Sequence, residues 1–592
     1  MSAPLPSARL RLLALGDVGV ALTLFVVTTL GLLLASRSEG FARDEGYYFH
    51  AAENHAAYYE ELGARLARGD VKALRDRGLI DRYFSYNNEH PPLMKTLFGL
   101  SWRVLHRCNC PKEAGLHPIS YARRHRTLSL LRNGESMRLP SHALAGALVA
   151  AVYLMARRAF GRAGAMAAAG LTILAPRHFF HAELSCFDAP VTAMLGLTTW
   201  AYLRAQQTAR WRWAVLSGVL FGLSLSTKHN AFFLPPLLLL HSLWHRRDLL
   251  SGDSTSPLPL RYRRWLRYLF QPWALAMATL GPLTYLLSWP YLWFDTVRRF
   301  TGYVSFHLHH VHYNIEYLGT NYNRPPYPWH YVPVMTLLTM PVVTLLLALL
   351  GGFLWWRRTA DFVEPLPSGE RIGGELSLFV VSALWPMLII MRPGTPIFGA
   401  EKHWLPAVPF LALLAGAAVA FVVRQVSPSP SLRRLLAPLV VLLALASAGL
   451  SVWRSHPYGL SHYNALAGGP VGAANLGMNR QFWGFSVRGV MPFLNQGLPP
   501  STSVYFHDAN WFQLQMSQLD GFLRRDIADS GIEEPGVRSS RAALVLHEKH
   551  FNKYEYWIWD AYGTTKPSVV LTHLGVPLCT VYERPRDGRG SP

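Results

Sequence analysis

The chain has 592 residues, of which 51% are hydrophobic and only 16% charged, and it contains 19 tryptophans. This composition, with its repeated long apolar runs, favours a polytopic membrane protein over a soluble multidomain enzyme. The formal net charge is +22, but many arginines lie in short clusters between apolar runs, as in cytoplasmic loops. We therefore expect no nucleic-acid partner. The four cysteines are too few for a disulfide framework, and Cys108 and Cys110 lack a partner pair at zinc-site spacing.

About eleven apolar runs, some of them short, are long enough to cross roughly 30 Å of hydrocarbon as helices. They lie near residues 12–35, 139–156, 163–180, 188–204, 212–227, 230–245, 270–294, 331–356, 375–391, 404–424 and 435–453. The basic clusters fall between every second pair of spans, on the same side as the N-terminus, which predicts a cytoplasmic N-terminus. The first run is too long for a signal-peptide core and has no clean cleavage site after it.

The segment 90–106 is apolar enough to suggest one more span, but it contains Lys95 and Arg103 within a short length. A span here would invert every later helix and place the basic connections outside. We therefore expect a helix that lies at the membrane interface, which keeps those connections inside.

The remaining segments are predicted to lie outside the membrane on its outer face. They are a first outer loop with interfacial helices (36–138), a loop rich in histidine and aromatic residues (295–330), and a tail (454–592) long enough for one small domain. In the tail, "STSVYFHDA", "AALVLH" and "VPLCTVYERP" resemble strands, and "WFQLQMSQLDGFLRRD" resembles a helix. The predicted fold is an all-α polytopic membrane bundle (1–453) with a small extracytoplasmic α+β C-terminal domain.

Asp44 and Glu45 stand a few residues past the first span. Adjacent residues on a helix point about 100° apart, so the two carboxylates cannot both face one site, and one is expected to be catalytic and the other structural. Lys95 follows a Pro-Pro step and is placed to neutralise a lipid phosphate. Taken alone, Asp44 and Glu45 could also belong to an ordinary solvated loop, and Lys95 could simply extend to the interface.

Seven motifs, loose singly but specific in their order and spacing, give the chain a family resemblance. They are "DEGYY" (44–48), "HPPLMK" (90–95), "RLPSHALAGAL" (138–148), "SCFDAP" (185–190), "STKHNAFFLP" (226–235), "PWHYVPVMTLLTMP" (328–341) and "HPYGLSHYNALAGGP" (456–470). Over residues 10–485 the chain resembles the polyprenyl-phosphate-sugar-dependent glycosyltransferases of the C superfamily. Within it, the chain is similar to the protein O-mannosyltransferases and aminoarabinose lipid A transferases, which are family 39-like enzymes.

The resemblance implies an extracytoplasmic active site and an inverting transfer from a lipid-phosphate sugar to a protein or glycolipid, with no metal and no cofactor. Asp44 matches the base that takes the acceptor's proton, with Glu45 as its neighbour, and Asp188 matches a second outer-face acidic position. Lys95 and Arg138 match positions that hold the donor phosphate. Displacing a lipid phosphate from an anomeric carbon needs both a base and cations, which these residues supply.

Five further residues are assigned to substrate binding: His90, Lys228, His307, His310 and Lys402. The histidine-rich run 307–312 offers spacings that could hold a metal, but contacts to sugar or phosphate are favoured because no carboxylate lies at helical spacing except the distant Glu316. Lys402 lies in "RPGTPIFGAEKHW" (392–404), which replaces the arginine-tyrosine pattern of the family. The domain that the mannosyltransferases insert in a late outer loop is not visible either, so the acceptor stays open.

Two alternatives remain open. A lipid-linked-sugar transporter or flippase would place ionisable residues near span centres, whereas here the spans are nearly free of them. A scaffold without activity would not need Asp44 together with Lys95 and Arg138. The basic loops are compatible with a bacterial inner membrane, although an endoplasmic reticulum membrane would give a similar pattern. The sequence names neither the sugar nor the lipid chain length.

Overall fold

A computed structural model describes residues 8–107, 127–245, 270–357, 373–426 and 429–585. The described part is mostly helical and has a small β-sheet near its C-terminus. The first helices are Ala8–Ala35 (α1), Arg43–Ala67 (α2), Arg77–Phe84 (α3), Leu93–Leu105 (α4), Asn133–Ile173 (α5), Pro176–Glu183 (α6), Asp188–Thr208 (α7), Trp211–Leu225 (α8), Leu234–His245 (α9), Pro272–Ser288 (α10) and Thr296–Leu308 (α11). The remaining helices are Tyr331–Thr339 (α12), Val342–Trp356 (α13), Gly373–Ile390 (α14), Val408–Gln425 (α15), Pro430–Ser455 (α16), Gly469–Asn475 (α17), Met491–Gly497 (α18), Trp511–Leu519 (α19), Glu533–Ser539 (α20) and Asn552–Tyr562 (α21).

Helix α5 is the centre of the bundle and packs against α1, α7 and α15. It is broken at Gly161, whose φ of 72° and ψ of −173° are not helical. Glycine adopts this conformation without steric cost because it has no Cβ. The break lies between Arg158 and Arg162, where the sequence predicted the connection between two spans.

Four helical stretches in the described residues are long and apolar enough to cross a membrane: Gly16–Ala35, Asn133–Ile173, Leu405–Gln425 and Pro430–Ser455. Three shorter apolar helices are Trp211–Leu225, Val342–Trp356 and Gly374–Ile390. The predicted count of about eleven spans therefore stays a prediction. Helix α4 covers most of the segment expected at the interface and packs against α2 and α5.

The β-rich part of the tail confirms a small β-containing C-terminal region. Its strands are Ser503–Phe506 (β3), Ala528–Asp529 (β4), Ala542–Leu546 (β5), Val569–His573 (β6) and Val576–Glu583 (β7), after a hairpin of Ile315–Tyr317 (β1) and Thr320–Tyr322 (β2). The sheet order is β4-β3-β5-β7-β6. Strand β3 is parallel to β4 and β5, and β7 is antiparallel to β5 and β6. The three predicted strands correspond to β3, β5 and β7, and the predicted helix corresponds to α19.

Two large hydrophobic clusters hold these elements together. One lies among the apolar helices and includes Val152 and Leu413. The other joins Phe49 of α2 and Phe98 of α4 to Phe506 of the sheet. The tail therefore packs directly on the helix that begins at Arg43.

Candidate active site

A cavity of about 1490 Å³ lies between the helical bundle and the tail. Seven of the ten predicted site residues line it: Asp44, His90, Asp188, Lys228, His307, His310 and Lys402. Glu45, Lys95 and Arg138 do not line it. The structure thus brings together residues from six segments that are far apart in the sequence.

Asp44 lies in the first turn of α2, where its carboxylate faces the cavity. Its side chain is 23% exposed. Its Oδ2 is 3.9 Å from Lys402 Nζ, and its Oδ1 is 3.7 Å from Arg43 Nε. Asp44 is thus a carboxylate with two cations beside it and open space in front of it.

Glu45 is fully buried and points away from the cavity to Arg138, which is 2% exposed. Arg138 Nε donates to Glu45 Oε1 at 2.8 Å, and Nη2 donates to Oε2 at 2.7 Å. The backbone N–H groups of Ala42 and Ser185 donate to the same carboxylate at 2.9 and 2.8 Å. The divergence expected for adjacent helical residues is thus seen, and Glu45 has a structural environment.

Arg138, which was expected at the donor phosphate, lies outside the lining of the cavity. Besides Glu45, its guanidinium donates to the carbonyl oxygens of Ser36 at 3.1 Å and Gly40 at 2.7 Å, and it lies over the Phe41 ring, 4.8 Å from the centroid. A bidentate pair of this kind is strong and fixes geometry. Arg138 thus ties α5 to the loop that leads into α2.

Lys95 is also enclosed. Its Nζ donates to the carbonyl oxygens of Asn87 at 2.6 Å and His90 at 2.8 Å. Burial lowers the pKa of Lys95 to about 7, and the Glu89 carboxylate opposes this shift. Lys95 therefore holds the loop that carries His90, and its ammonium is directed to backbone rather than to the cavity.

Asp188 and Lys228 form a second charged pair in the cavity wall. Lys228 Nζ donates to Asp188 Oδ1 at 2.5 Å. Asp188 is the first residue of α7, so the positive end of the helix dipole also stabilises its negative charge. The carboxylate that matched a second outer-face acidic position is thus ion-paired rather than free.

Lys402 lies between two aromatic rings, with its Nζ 4.3 Å from the centroid of Trp483 and 4.4 Å from that of Phe398. Burial lowers the pKa of Lys402, while the carboxylates of Asp44 and Asp188 oppose this shift.

The loop that carries Lys402 is held by Glu401, which pairs with Arg177 Nη1 at 2.7 Å. Lys402 is thereby a cation held in place next to the carboxylate of Asp44.

The histidines of the cavity contact one another and aromatic rings. His307 Nε2 lies 3.0 Å from the carbonyl oxygen of Glu89, and the His307 ring is 4.1 Å from that of His229. Burial lowers the pKa of His307 to about 4, so it is neutral near pH 7. His310 stacks on Phe398 with centroids 4.6 Å apart. Among the described residues, the groups with metal-ligand spacing do not include His307 or His310.

The tail contributes wall residues that the sequence analysis missed. Asp508 forms a hydrogen-bonded ion pair with Arg43, and both line the cavity together with Glu548. Burial, with the nearby carboxylates of Asp508 and Glu316, raises the pKa of Glu548 well above its ordinary value. Arg43 precedes the quoted "DEGYY" motif and could have been found from that position. Asp508 and Glu548 carry no comparable signal.

Part of the chain matches a known protein family. Residues 126–254 match the model of the dolichyl-phosphate-mannose-protein mannosyltransferase family. No significant match was found among curated proteins.

Similar solved structures include ArnT from Cupriavidus metallidurans bound to undecaprenyl phosphate, at 16% identity and a TM-score of 0.43, covering 95% of this chain and 97% of that one. They also include the oligosaccharyltransferase AglB from Archaeoglobus fulgidus with an inhibitory peptide and a dolichol-phosphate, at 11% identity and a TM-score of 0.44, covering 92% and 71%. The Saccharomyces cerevisiae Pmt1-Pmt2 O-mannosyltransferase complex matches at 15% identity and a TM-score of 0.33, covering 48% and 34%. The family match confirms, over residues 126–254, the resemblance to family 39-like glycosyltransferases that the motifs indicated.

Proposed function

We propose that the protein is a membrane glycosyltransferase that moves a sugar from a polyprenyl-phosphate donor to a hydroxyl of a protein or glycolipid. The observation that carries the proposal is the carboxylate of Asp44 in a large cavity, 3.9 Å from the Lys402 ammonium. The family match over residues 126–254 supports the same class of donor.

In the proposed reaction, the acceptor oxygen forms a bond to the anomeric carbon while Asp44 takes the hydroxyl proton. The bond from that carbon to the phosphate oxygen breaks, and its electron pair leaves with the lipid phosphate. Attack from the face opposite the leaving group inverts the anomeric configuration. Lys402 and Lys228, which line the cavity, stabilise the departing charge. Arg138 and Lys95 act as positioning residues, because their donors are directed to Glu45 and to backbone carbonyls.

The proposal is tested with purified protein in liposomes that contain a polyprenyl-phosphate sugar and an acceptor hydroxyl. Removing a general base slows turnover by about a hundredfold to ten-thousandfold, so Asp44→Asn should lose transfer while still binding the lipid phosphate. Glu61→Gln is the matched control, since Glu61 lies on the same helix but does not line the cavity. Normal transfer by Asp44→Asn would show that another residue is the general base. Translocation of lipid-linked sugar by wild-type protein without any transfer would replace the proposal by the flippase alternative.

The proposed location is a bacterial inner membrane, with the N-terminus cytoplasmic and both the cavity and the tail outside. A cysteine at Asp560, whose side chain is 69% exposed, provides a test in a chain with Cys108 and Cys110 replaced by serine, since Cys186 and Cys579 are buried. An impermeant maleimide should label Asp560→Cys in intact cells. Labelling only after lysis would show that the tail lies on the cytoplasmic side, opposite to the proposed orientation.

A further inference from the structure

Three buried or half-buried residues outside the cavity lie close together near the start of α2. They are Glu39 in the loop after α1, Glu183 at the end of α6 and His456 just after α16. One ligand atom of each lies within 4.8 Å of the others. None of the three lines the cavity of the proposed transferase.

The two carboxylates have unusual surroundings. Glu39 and Glu183 are each 1% exposed, yet Glu39 Oε2 and Glu183 Oε1 have no hydrogen-bond partner among the described residues. A buried, unpaired carboxylate oxygen is costly. Arg138 lies nearby, but its donors are directed to Glu45, Ser36 and Gly40. Among the described residues, the one ion pair open to either carboxylate is that of Glu183 Oε1 with a protonated His456, at 3.7 Å.

The hydrogen bonds of His456 fix which ring nitrogen faces the carboxylates. Ser38 Oγ lies 3.0 Å from the carbonyl oxygen of Ala35 and 2.8 Å from His456 Nε2, so when its hydrogen is donated to Ala35 the hydroxyl accepts from Nε2. In the neutral ring, Nδ1 then presents a lone pair 3.7 Å from the unpartnered Glu183 Oε1. An outer hydrogen bond of this kind is typical of metal-binding histidines.

We propose that Glu39, Glu183 and His456 bind a divalent cation of the zinc type. One imidazole nitrogen and two carboxylates are ligands that zinc accepts, and a charge of two balances the two carboxylates. A proton on His456 would pair it with Glu183 alone and leave Glu39 Oε2 unsatisfied. The His456 side chain is 23% exposed, which gives the ion a path from solvent.

The cation would join three segments that support the cavity. Glu39 lies five residues before Asp44, and the backbone N–H of Ser185, two residues after Glu183, donates to Glu45. The three ligands belong to separate stretches of the sequence, so spacing rules cannot reveal the site. The proposed role is structural and does not depend on which sugar or acceptor the protein uses.

The test uses the full-length protein in detergent, stripped with EDTA, dialysed and titrated with ZnCl₂. Elemental analysis should find one zinc per chain that is lost in Glu183→Gln and in His456→Gln, and zinc should raise the melting temperature of the wild type but not of these two variants. Ser38→Ala should weaken zinc binding by about tenfold to a hundredfold. Cobalt substitution supplies a second readout, because visible absorption of Co²⁺ reports its ligands directly.

Glu548→Gln is the matched control, since Glu316, Glu548 and His550 form the other group with such spacing among the described residues. It should retain zinc. Loss of zinc from Glu548→Gln with retention in Glu183→Gln would move the metal to that second group and overturn the proposal. The proposal would also be overturned if the wild type bound no zinc and Glu183→Gln were more stable than the wild type and unaffected by EDTA. That result would show that the Glu39 and Glu183 carboxylates share a proton instead of a metal ion.

Discussion

Neighbouring residues in this site have opposite roles. Asp44 faces the cavity while Glu45 is buried against Arg138. The same arrangement occurs at Glu401 and Lys402, where Glu401 pairs with Arg177 and Lys402 faces the cavity. In both cases a buried carboxylate fixes the backbone that presents a charged side chain to the cavity.

The first prediction at the residue scale concerns stability. Glu45→Gln leaves the buried Arg138 without its counter-charge, and breaking such a pair costs about 3 to 5 kcal/mol of unfolding free energy. Asp44→Asn should cost far less, because Asp44 is partly exposed and its ion pairs with Arg43 and Lys402 are long, at 3.7 and 3.9 Å. Thermal unfolding of the two variants in detergent measures the difference. Equal melting temperatures would contradict a structural role for Glu45.

The second prediction concerns the donor phosphate. Lys402→Met should weaken binding of a polyprenyl phosphate by about tenfold or more, since a charge-assisted contact contributes about 1.5 to 3 kcal/mol. Lys95→Met should change donor affinity less and melting temperature more, because Lys95 binds the carbonyls of Asn87 and His90. Tryptophan fluorescence titration with the lipid phosphate gives both affinities. The reverse ranking would place Lys95 at the phosphate, as its motif suggested.

The sequence could predict the cavity residues better than their partners. Asp44, Asp188 and Lys228 lie close to the ends of apolar runs, so the predicted ends of the spans identify them in the sequence. Whether a cationic side chain can bind a ligand or is already hydrogen-bonded within the protein depends on tertiary contacts such as that between Arg138 and Gly40. No local sequence pattern encodes such contacts. The ion pair of Arg43 with Asp508 joins residues 465 positions apart, beyond the reach of any spacing rule.

At the scale of elements, proline and glycine account for two breaks in the helices. The predicted span 331–356 is divided into α12 and α13 at Met340 and Pro341. Met340 has an extended backbone with ψ of 146°, as expected for a residue before proline. Gly161 divides α5 in the same way, and there the arginines on either side made the break predictable.

The third prediction concerns the crossing of α5 and α15. A Cβ on Gly164 would lie 2.7 Å from the Gly416 carbonyl oxygen, and one on Gly416 would lie 2.5 Å from the Gly164 oxygen. Small residues allow helix backbones to approach this closely. Gly416→Val should therefore destabilise the protein by about 1 to 3 kcal/mol, the usual cost of overpacking.

The control for Gly416→Val is Gly352→Val in α13, because no described atom beyond the neighbouring turns of its own helix lies within 4 Å of a Cβ at Gly352. Both changes put a β-branched residue into a helix, so their difference in melting temperature isolates the crossing. An equal loss in both variants would show that helix propensity, and not the close approach, sets the cost.

At the scale of the whole molecule, the predicted boundary at residue 453 separates parts of the chain that share one core. Phe41 and Phe49 belong to the same hydrophobic cluster as Phe506 and Leu514. Polar contacts cross the same interface, since the Gln513 side chain donates to the Phe41 carbonyl at 2.6 Å. The sequence predicted the strands of the tail, but strand patterns do not reveal which helix covers a sheet.

The last prediction is that the helical part does not fold stably without the tail. Ending the chain at residue 502 would expose Phe41 and Phe49, which are 5% and 2% exposed in the intact protein. Each large apolar side chain returned to water costs about 1.5 to 3 kcal/mol, and several such losses exceed a net stability of about 5 to 15 kcal/mol. The truncated chain should aggregate on purification, as seen by size-exclusion chromatography.

Phe506→Ala is the milder variant. It should lower the unfolding free energy by about 3 to 5 kcal/mol and increase amide hydrogen exchange in the first turns of α2 as well as in β3. A monodisperse truncated chain that still binds the lipid phosphate would show that the bundle folds alone.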